Sequence, residues 1–425
     1  MTRRRALFPA SVPLTAVTLV AVALALTACA GASAPDLVIR HAKVFTNDTA
    51  RPWAEAVAIK GERVVAVGDE AAIAALAGAS TRVLDAGGRV LVPGFNDARV
   101  DLPLEPPTPQ GLATLDREAV ARGVTSLQVV AGGPMRSLVV AAQQAERSAR
   151  WRLIRAPMDG ERPQDEEPYL PPQPGVRLVA SGVSWTLDRW LDRQAGDAQL
   201  GTFVKWAYGA EDPLVVAMRG DLSEGGDGEA GGHAALDALL AAIGRQGVGE
   251  VWRRKRPRLD LYGKVPIDAG AGTPGHLSTG EAVSAVHARL AVAGLVVTVV
   301  PRTAEDRHYE KDMADFAEPW AYGEAGVPVA LGSGRGRNLM TAIADVRDLG
   351  EVSREATIRA ATWGSAYAEK AERDKGWLAP GTLADLAILS DDIFTVPADR
   401  LPAITSVLTL VGGTIVYDPG VLTSR

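Results

Sequence analysis

Cysteine is almost absent from this chain, one residue in 425, and histidine is scarce at five. With Cys29 alone, neither a disulfide nor a thiolate metal site can be built. Any imidazole site must draw on His41, His233, His276, His287 and His308. No region is broadly basic, and a net charge of −6 with a pI near 5.6 argues against a nucleic-acid surface. The one basic cluster, Arg253-Arg254-Lys255-Arg256, reads as a solvated strand edge or loop. No GxGxxG or GKS/T cradle follows a strand, which removes support for nucleotide binding, and no GxSxG elbow supports a serine hydrolase. What is present, 47% hydrophobic and 5% aromatic residues, fits a soluble globular protein with a large single-core barrel and a small accessory domain.

The N-terminus reads as an address. Arg3-Arg4-Arg5 precedes an apolar stretch from Val12 to Leu26, too short and too asymmetrically flanked for a spanning helix. Leu26-Thr27-Ala28-Cys29 resembles a bacterial lipobox, which implies a signal peptide over 1–28 and lipidation of Cys29. Multiple acyl chains on one cysteine hold a membrane firmly. The expectation is an exported protein of the bacterial cell envelope, tethered through 29–35. Ala30 lacks the aspartate associated with inner-membrane retention, so a diderm host implies the periplasm-facing outer membrane.

Beyond the tether, Leu37–Arg40, Ala56–Lys60, Arg63–Gly68, Arg82–Asp85 and Arg89–Val92 read as short strands, with a helix capped by Asp69. The far end mirrors this at Leu383–Leu389, Ser406–Leu410 and Thr414–Tyr417, with Gly412-Gly413 as a hairpin turn. The middle alternates. Strands are expected at Thr125–Val130, Trp151–Ala156, Val176–Ala180, Thr202–Trp206, Leu214–Met218, Leu295–Val300 and Val327–Leu331. Helices are expected at Arg136–Arg150, Ala234–Ile243, Glu281–Ala293, Leu339–Leu349 and Arg354–Glu372. Alternation of this length favours a closed parallel barrel. The expected fold is α/β: a TIM-like (β/α)8 barrel over 93–375 with a composite β-sandwich domain from 36–92 and 376–425.

Several segments resemble the amidohydrolase superfamily, and in particular the branch called amidohydrolase family 3. Asp85-Ala86-Gly87-Gly88-Arg89-Val90-Leu91-Val92-Pro93-Gly94-Phe95 is similar to the family's approach to its barrel, and Arg122-Gly123-Val124-Thr125-Ser126 to the step before the second strand. Thr357–Tyr367 and Gly376–Leu389 follow the family's C-terminal pattern. The resemblance implies a hydrolase of non-peptide C–N bonds working through one or two divalent metals at the barrel mouth.

The positions that would carry that chemistry are altered. The family's first strand reads PGFxDxHxH, and here Arg99 and Asp101 stand where the resemblance places the two histidines. Arginine stays protonated and has no lone pair to give a metal. The bridging lysine falls at Arg177 or at Lys205, depending on which segment is the fourth strand. Ala217 takes the fifth-strand histidine position, Asp260-Leu261 replaces Glu-His on the sixth strand, and Gly332-Ser333-Gly334 replaces GSD on the eighth. Arg99, Asp101, Arg177, Lys205, Asp260 and Ser333 therefore form the candidate pocket. Its charged groups either pair as buried salt bridges or clamp a small anionic or zwitterionic ligand. A rebuilt zinc site from His276, His308 and Asp101 is the alternative to an absence of cofactor. The functional expectation is a non-catalytic binding or scaffold protein anchored to the membrane through Cys29. The alternative is a hydrolase of amides or cyclic amides with a divergent site.

Overall fold

The structure, a computed structural model, describes residues 34–103, 107–157, 170–187, 193–210, 214–219, 238–247, 249–262, 265–266, 288–301, 316–317, 323, 326–346 and 352–424. The signal peptide, Cys29, most of the tether, the glycine-rich run 225–232, and His233, His276, His287 and His308 lie outside the described residues. No described helix is long and apolar enough to cross a membrane.

Eight parallel strand positions curl around one axis. In chain order they are Phe95–Asp101, Val124–Gly132, Arg150–Ala156, Leu178–Leu187, Leu214–Arg219, Arg258–Tyr262, Val296–Val300 and a split eighth strand, Val329–Leu331 with Gly334–Arg335. The first half of the eighth strand pairs with the seventh, and its second half pairs with the first. The sheet thereby closes on itself as a TIM-like barrel. The seventh strand, Val-Val-Thr-Val-Val, is buried along its whole length, as a strand covered on both faces must be. Outside it run helices such as Pro109–Val120, which opens with Thr108 Oγ1 accepting from Gly111 N and with proline in the first turn.

Three local readings are corrected by the structure. The segment expected as a strand at Thr202–Trp206 lies within the helix Arg193–Gly209. Leu200, Phe203, Val204 and Ala207 are its buried residues, a helical spacing that outweighs the β-branched look of the segment. The helix expected over Arg354–Glu372 is interrupted by a π-helical turn at Ala360–Gly364. There Gly364 lies so close to the eighth strand that a Cβ would collide with the Val329 carbonyl oxygen. The basic cluster expected as a strand edge or loop belongs to the short helix Glu250–Lys255. Arg256, at φ 51°, ends that helix and forks onto Glu372 at 2.7 and 2.8 Å.

The chain ends build two further sheets. One has five strands in the order Thr423–Ser424, Arg82–Asp85, Leu37–Arg40, Ala56–Lys60, Arg63–Gly68. The other has six: Thr414–Tyr417, Ser406–Val411, Leu386–Leu389, Val90–Pro93, Lys43–Phe45, Trp53–Ala54. The N- and C-terminal segments pair directly where Leu386–Leu389 runs antiparallel to Val90–Pro93. Ile39, Ile59 and Leu84 of one sheet and Leu91, Ile388 and Leu410 of the other belong to one buried cluster. The hairpin turn Gly412-Gly413 has φ of 54° and 69°, values that glycine adopts without steric cost.

Candidate functional site at the barrel mouth

Side chains on alternate strand positions share a face. On the first strand this aims Arg99 and Asp101 inward, and on the sixth it aims Arg258, Asp260 and Tyr262 inward together. Arg99 is buried, with a side chain 5% exposed, and its partner Asp260 is fully buried. The Arg99 guanidinium gives Nη1 to Asp260 Oδ2 at 2.7 Å and to Ser184 Oγ at 3.0 Å, and Nε to Asp101 Oδ1 at 3.0 Å. Its Nη2 lies 2.9 Å from the same Asp101 oxygen. Arg258 holds the other side of Asp260 in a two-point fork at 2.7 and 2.9 Å, and Gln128 Oε1 accepts from its Nη1. Tyr262 donates its hydroxyl to Asp101 Oδ2, and its ring lies 5.3 Å from the Arg99 guanidinium. Two arginines and two aspartates thus close on one another, with nearly every strong donor and acceptor engaged.

The electrostatics follow from this closure. Burial pushes the Asp260 carboxyl up, but Arg258 and Arg99 outweigh it and hold its pKa below the ordinary value. Burial works against the charge on Arg99, and Asp260, Tyr262 and Asp101 more than compensate, so the guanidinium stays firmly protonated. Burial, opposed by Arg99 and assisted by Asp101, keeps the Tyr262 phenol neutral far above its usual pKa. Beside this cluster, Asp97 is fully desolvated and its pKa is pushed up to about 7, although the amides of Ser333, at 2.9 Å, and Arg99, at 3.3 Å, pull in the other direction.

A second buried network fills the barrel beneath the first. Glu369 lies between Lys375 Nζ at 2.6 Å and Arg152 Nε at 3.2 Å, and accepts from Asn96 at 2.7 Å. Lys375 also reaches Ser126 Oγ at 2.7 Å. Gln128 joins the two networks, donating to Asn96 while accepting from Arg258. Burial raises the Glu369 pKa, yet Lys375 and Arg152 bring it down to about 2.

Four of the candidate pocket residues come together here: Arg99, Asp101, Asp260 and Ser333. Two do not. Arg177 immediately precedes the fourth strand, at the opposite end of the barrel, and donates to the Ser148 and Val411 carbonyls, each at 3.0 Å. Lys205 is exposed on the helix Arg193–Gly209. The strand register also sorts the side chains of the sixth strand. Leu261, where the resemblance places a histidine, packs into the outer core, whereas Asp260 and Tyr262 face inward. Gly334, where the resemblance places an aspartate, has φ 76°, and a Cβ there would meet Val300 Cγ1 at 2.8 Å. The residues that sequence reasoning missed are Tyr262, Arg258, Gln128 and Ser184. For Arg258 and Tyr262 the signal is the alternation Arg258-x-Asp260-x-Tyr262, which puts all three side chains on one face.

A divalent metal does not fit this set. Its two carboxylates are already neutralised by two arginines, and among the described residues no group of three or more His, Cys, Asp or Glu could hold an ion. His276 and His308, the rebuilt-site candidates, lie outside the described residues.

Residues 229–417 match a family model described as Amidohydrolase family. Protein LONG AFTER FAR-RED 3 of Arabidopsis thaliana is 33% identical over 67 residues, 16% of this chain and 12% of its own length. N-substituted formamide deformylase of Arthrobacter pascens is 38% identical over 88 residues, 19% of this chain and 16% of its own. This chain therefore spans less than a fifth of either curated relative. Among solved structures, a zinc-bound adenosine deaminase from Xanthomonas campestris shares the fold with a TM-score of 0.62 at 16% identity, covering 90% of this chain and 93% of the other.

Proposed function

We propose that this protein, of the amidohydrolase superfamily by its family match and its fold, has exchanged metal hydrolysis for a structural or binding role at a membrane surface. In this reading it is an exported lipoprotein, anchored through Cys29, and the sheets built from its two ends form a composite β-sandwich domain beside the barrel. One observation carries the reading: the Arg99 guanidinium lies between Asp101 and Asp260, where the resemblance calls for metal-binding histidines. A fixed cation there repels a second cation and consumes the carboxylates that would bind it. Because the fork is spent on internal partners, the mouth is a plug rather than a carboxylate clamp.

A second reading, a C–N hydrolase with a divergent site, draws on the short similarity to the formamide deformylase. Metal analysis of the purified mature protein, with assays on N-substituted formamides and cyclic amides, separates the two. The plug reading expects substoichiometric zinc and no chelator-sensitive turnover. Stoichiometric zinc that disappears in His276→Ala or His308→Ala, together with hydrolysis abolished by a chelator, would sink it.

A further inference from the structure

The opposite end of the barrel holds open space lined by cations, two of which have only carbonyl partners among the described residues. A cavity of about 870 Å³ opens where the third and fourth strands begin. Eight arginine and lysine side chains line it against three carboxylates. Those carboxylates are already committed. Glu369 is buried between Lys375 and Arg152, Asp374 pairs with Arg63 at 3.0 Å, and Glu62 sits in the field of Arg150. Two carboxylates outside the lining also pair into it: Asp385, from the terminal sheet, forks onto Arg150 at 2.7 and 3.1 Å, and Glu250 meets Arg254 at 2.8 Å.

Two half-buried cations on the wall have no carboxylate partner among the described residues. Arg177 is tethered only to the carbonyls of Ser148 and Val411, and Lys255 only to the carbonyl of Ala210. Carbonyl tethers orient a cation without neutralising it. The rim is stiff, because Pro171, Pro172 and Pro174 have fixed φ and Leu170 bridges back to Ala180. Past this rim a second cavity of about 400 Å³ shares Arg177 as a wall. Like charges gathered around a partly enclosed space repel one another unless a counter-ion joins them, and clefts of one sign concentrate ions of the other. The volume is that of a small-molecule site.

We propose that this cavity, at the strand-start end of the barrel, binds a small organic anion carrying at least two acidic groups, phosphate or carboxylate, with Arg177 and Lys255 as its principal contacts. Arg177 offers a planar fork suited to either kind of oxygen pair, and Lys255 a point charge from the short helix Glu250–Lys255. The site gives the superfamily frame a binding function remote from its mouth, and it does not depend on whether the mouth holds a metal.

The test is isothermal titration of the mature full-length protein in detergent, with pyrophosphate and with citrate as separate probes. Binding of at least one probe is expected, weakening as sodium chloride rises. The double variant Arg177→Gln/Lys255→Gln should lose at least tenfold in affinity with an unchanged melting curve, and Lys205→Ala should bind as the parent does. Preference for one probe assigns the acidic group as phosphate or carboxylate. No binding of either at millimolar concentration, or equal affinity in the double variant, overturns the proposal. Zinc content at the mouth is read independently, so failure here leaves that question where it stands.

Discussion

Asp260 is the residue on which the barrel's upper charge network turns. It receives a two-point fork from Arg258 and a third bond from Arg99, and it is completely buried. Removing one member of a buried ion pair strands the others, at a typical cost of about 3–5 kcal/mol. Asp260→Asn is therefore expected to lower unfolding free energy by about that much in a denaturant titration. Asp260→Asn with Arg99→Met, which removes a stranded cation and restores apolar volume, should recover part of the loss. A single Asp260→Asn cost below about 1 kcal/mol would mean that the network is not a closed plug.

At the scale of elements, the helix Arg193–Gly209 separates two kinds of position that read alike in sequence. Phe203 is buried and stacks edge-on to Trp185 with ring centroids 6.0 Å apart, whereas Lys205, two residues on, is exposed. Phe203→Ala is expected to cost about 3–5 kcal/mol, and Lys205→Ala less than about 0.5 kcal/mol. A large effect of Lys205→Ala on stability would contradict the helical placement. The π-helical turn offers a second probe. Gly364→Ala drives a methyl group into the Val329 carbonyl oxygen, so a melting temperature well below that of the parent is the expected result.

At the scale of the molecule, two buried carboxyls give stability opposite slopes in pH. Glu369 has a folded pKa of about 2 against an ordinary 4.5, so its contribution is complete above 4.5 and is lost as pH falls through 2. Asp97 has a folded pKa of about 7 against 3.8; its contribution is complete below 3.8 and is lost as pH rises through 7. Each spans roughly 3–4 kcal/mol by linkage. Stability is expected to rise from pH 2 to about 4.5 and to decline toward pH 7. Denaturant midpoints across that range should show the lower limb flattened in Glu369→Gln and the upper limb in Asp97→Asn.

Much of the frame is legible in the residues themselves, because it rests on local signals. Strand-length apolar runs, the hairpin glycines at 412 and 413, and the Pro93-Gly94-Phe95 approach to the barrel each encode a local shape. That Arg99 and Gly334 stand where the resemblance places a histidine and an aspartate is equally plain, since it is a matter of residue identity. Three placements need the assembled barrel. Arg177 belongs to the end of the barrel opposite the mouth because the fourth strand begins one residue after it. Leu261 faces outward and Tyr262 inward because side chains alternate about a register set by neighbouring strands. The pairing of Arg99 with Asp260, 161 residues apart, arises only when the first and sixth strands face each other across a closed sheet. Sequence alone determined which charges the barrel would carry. Tertiary structure decided which of them cancel and which remain open, because electrostatic energy depends on distance and burial that no local run of residues contains.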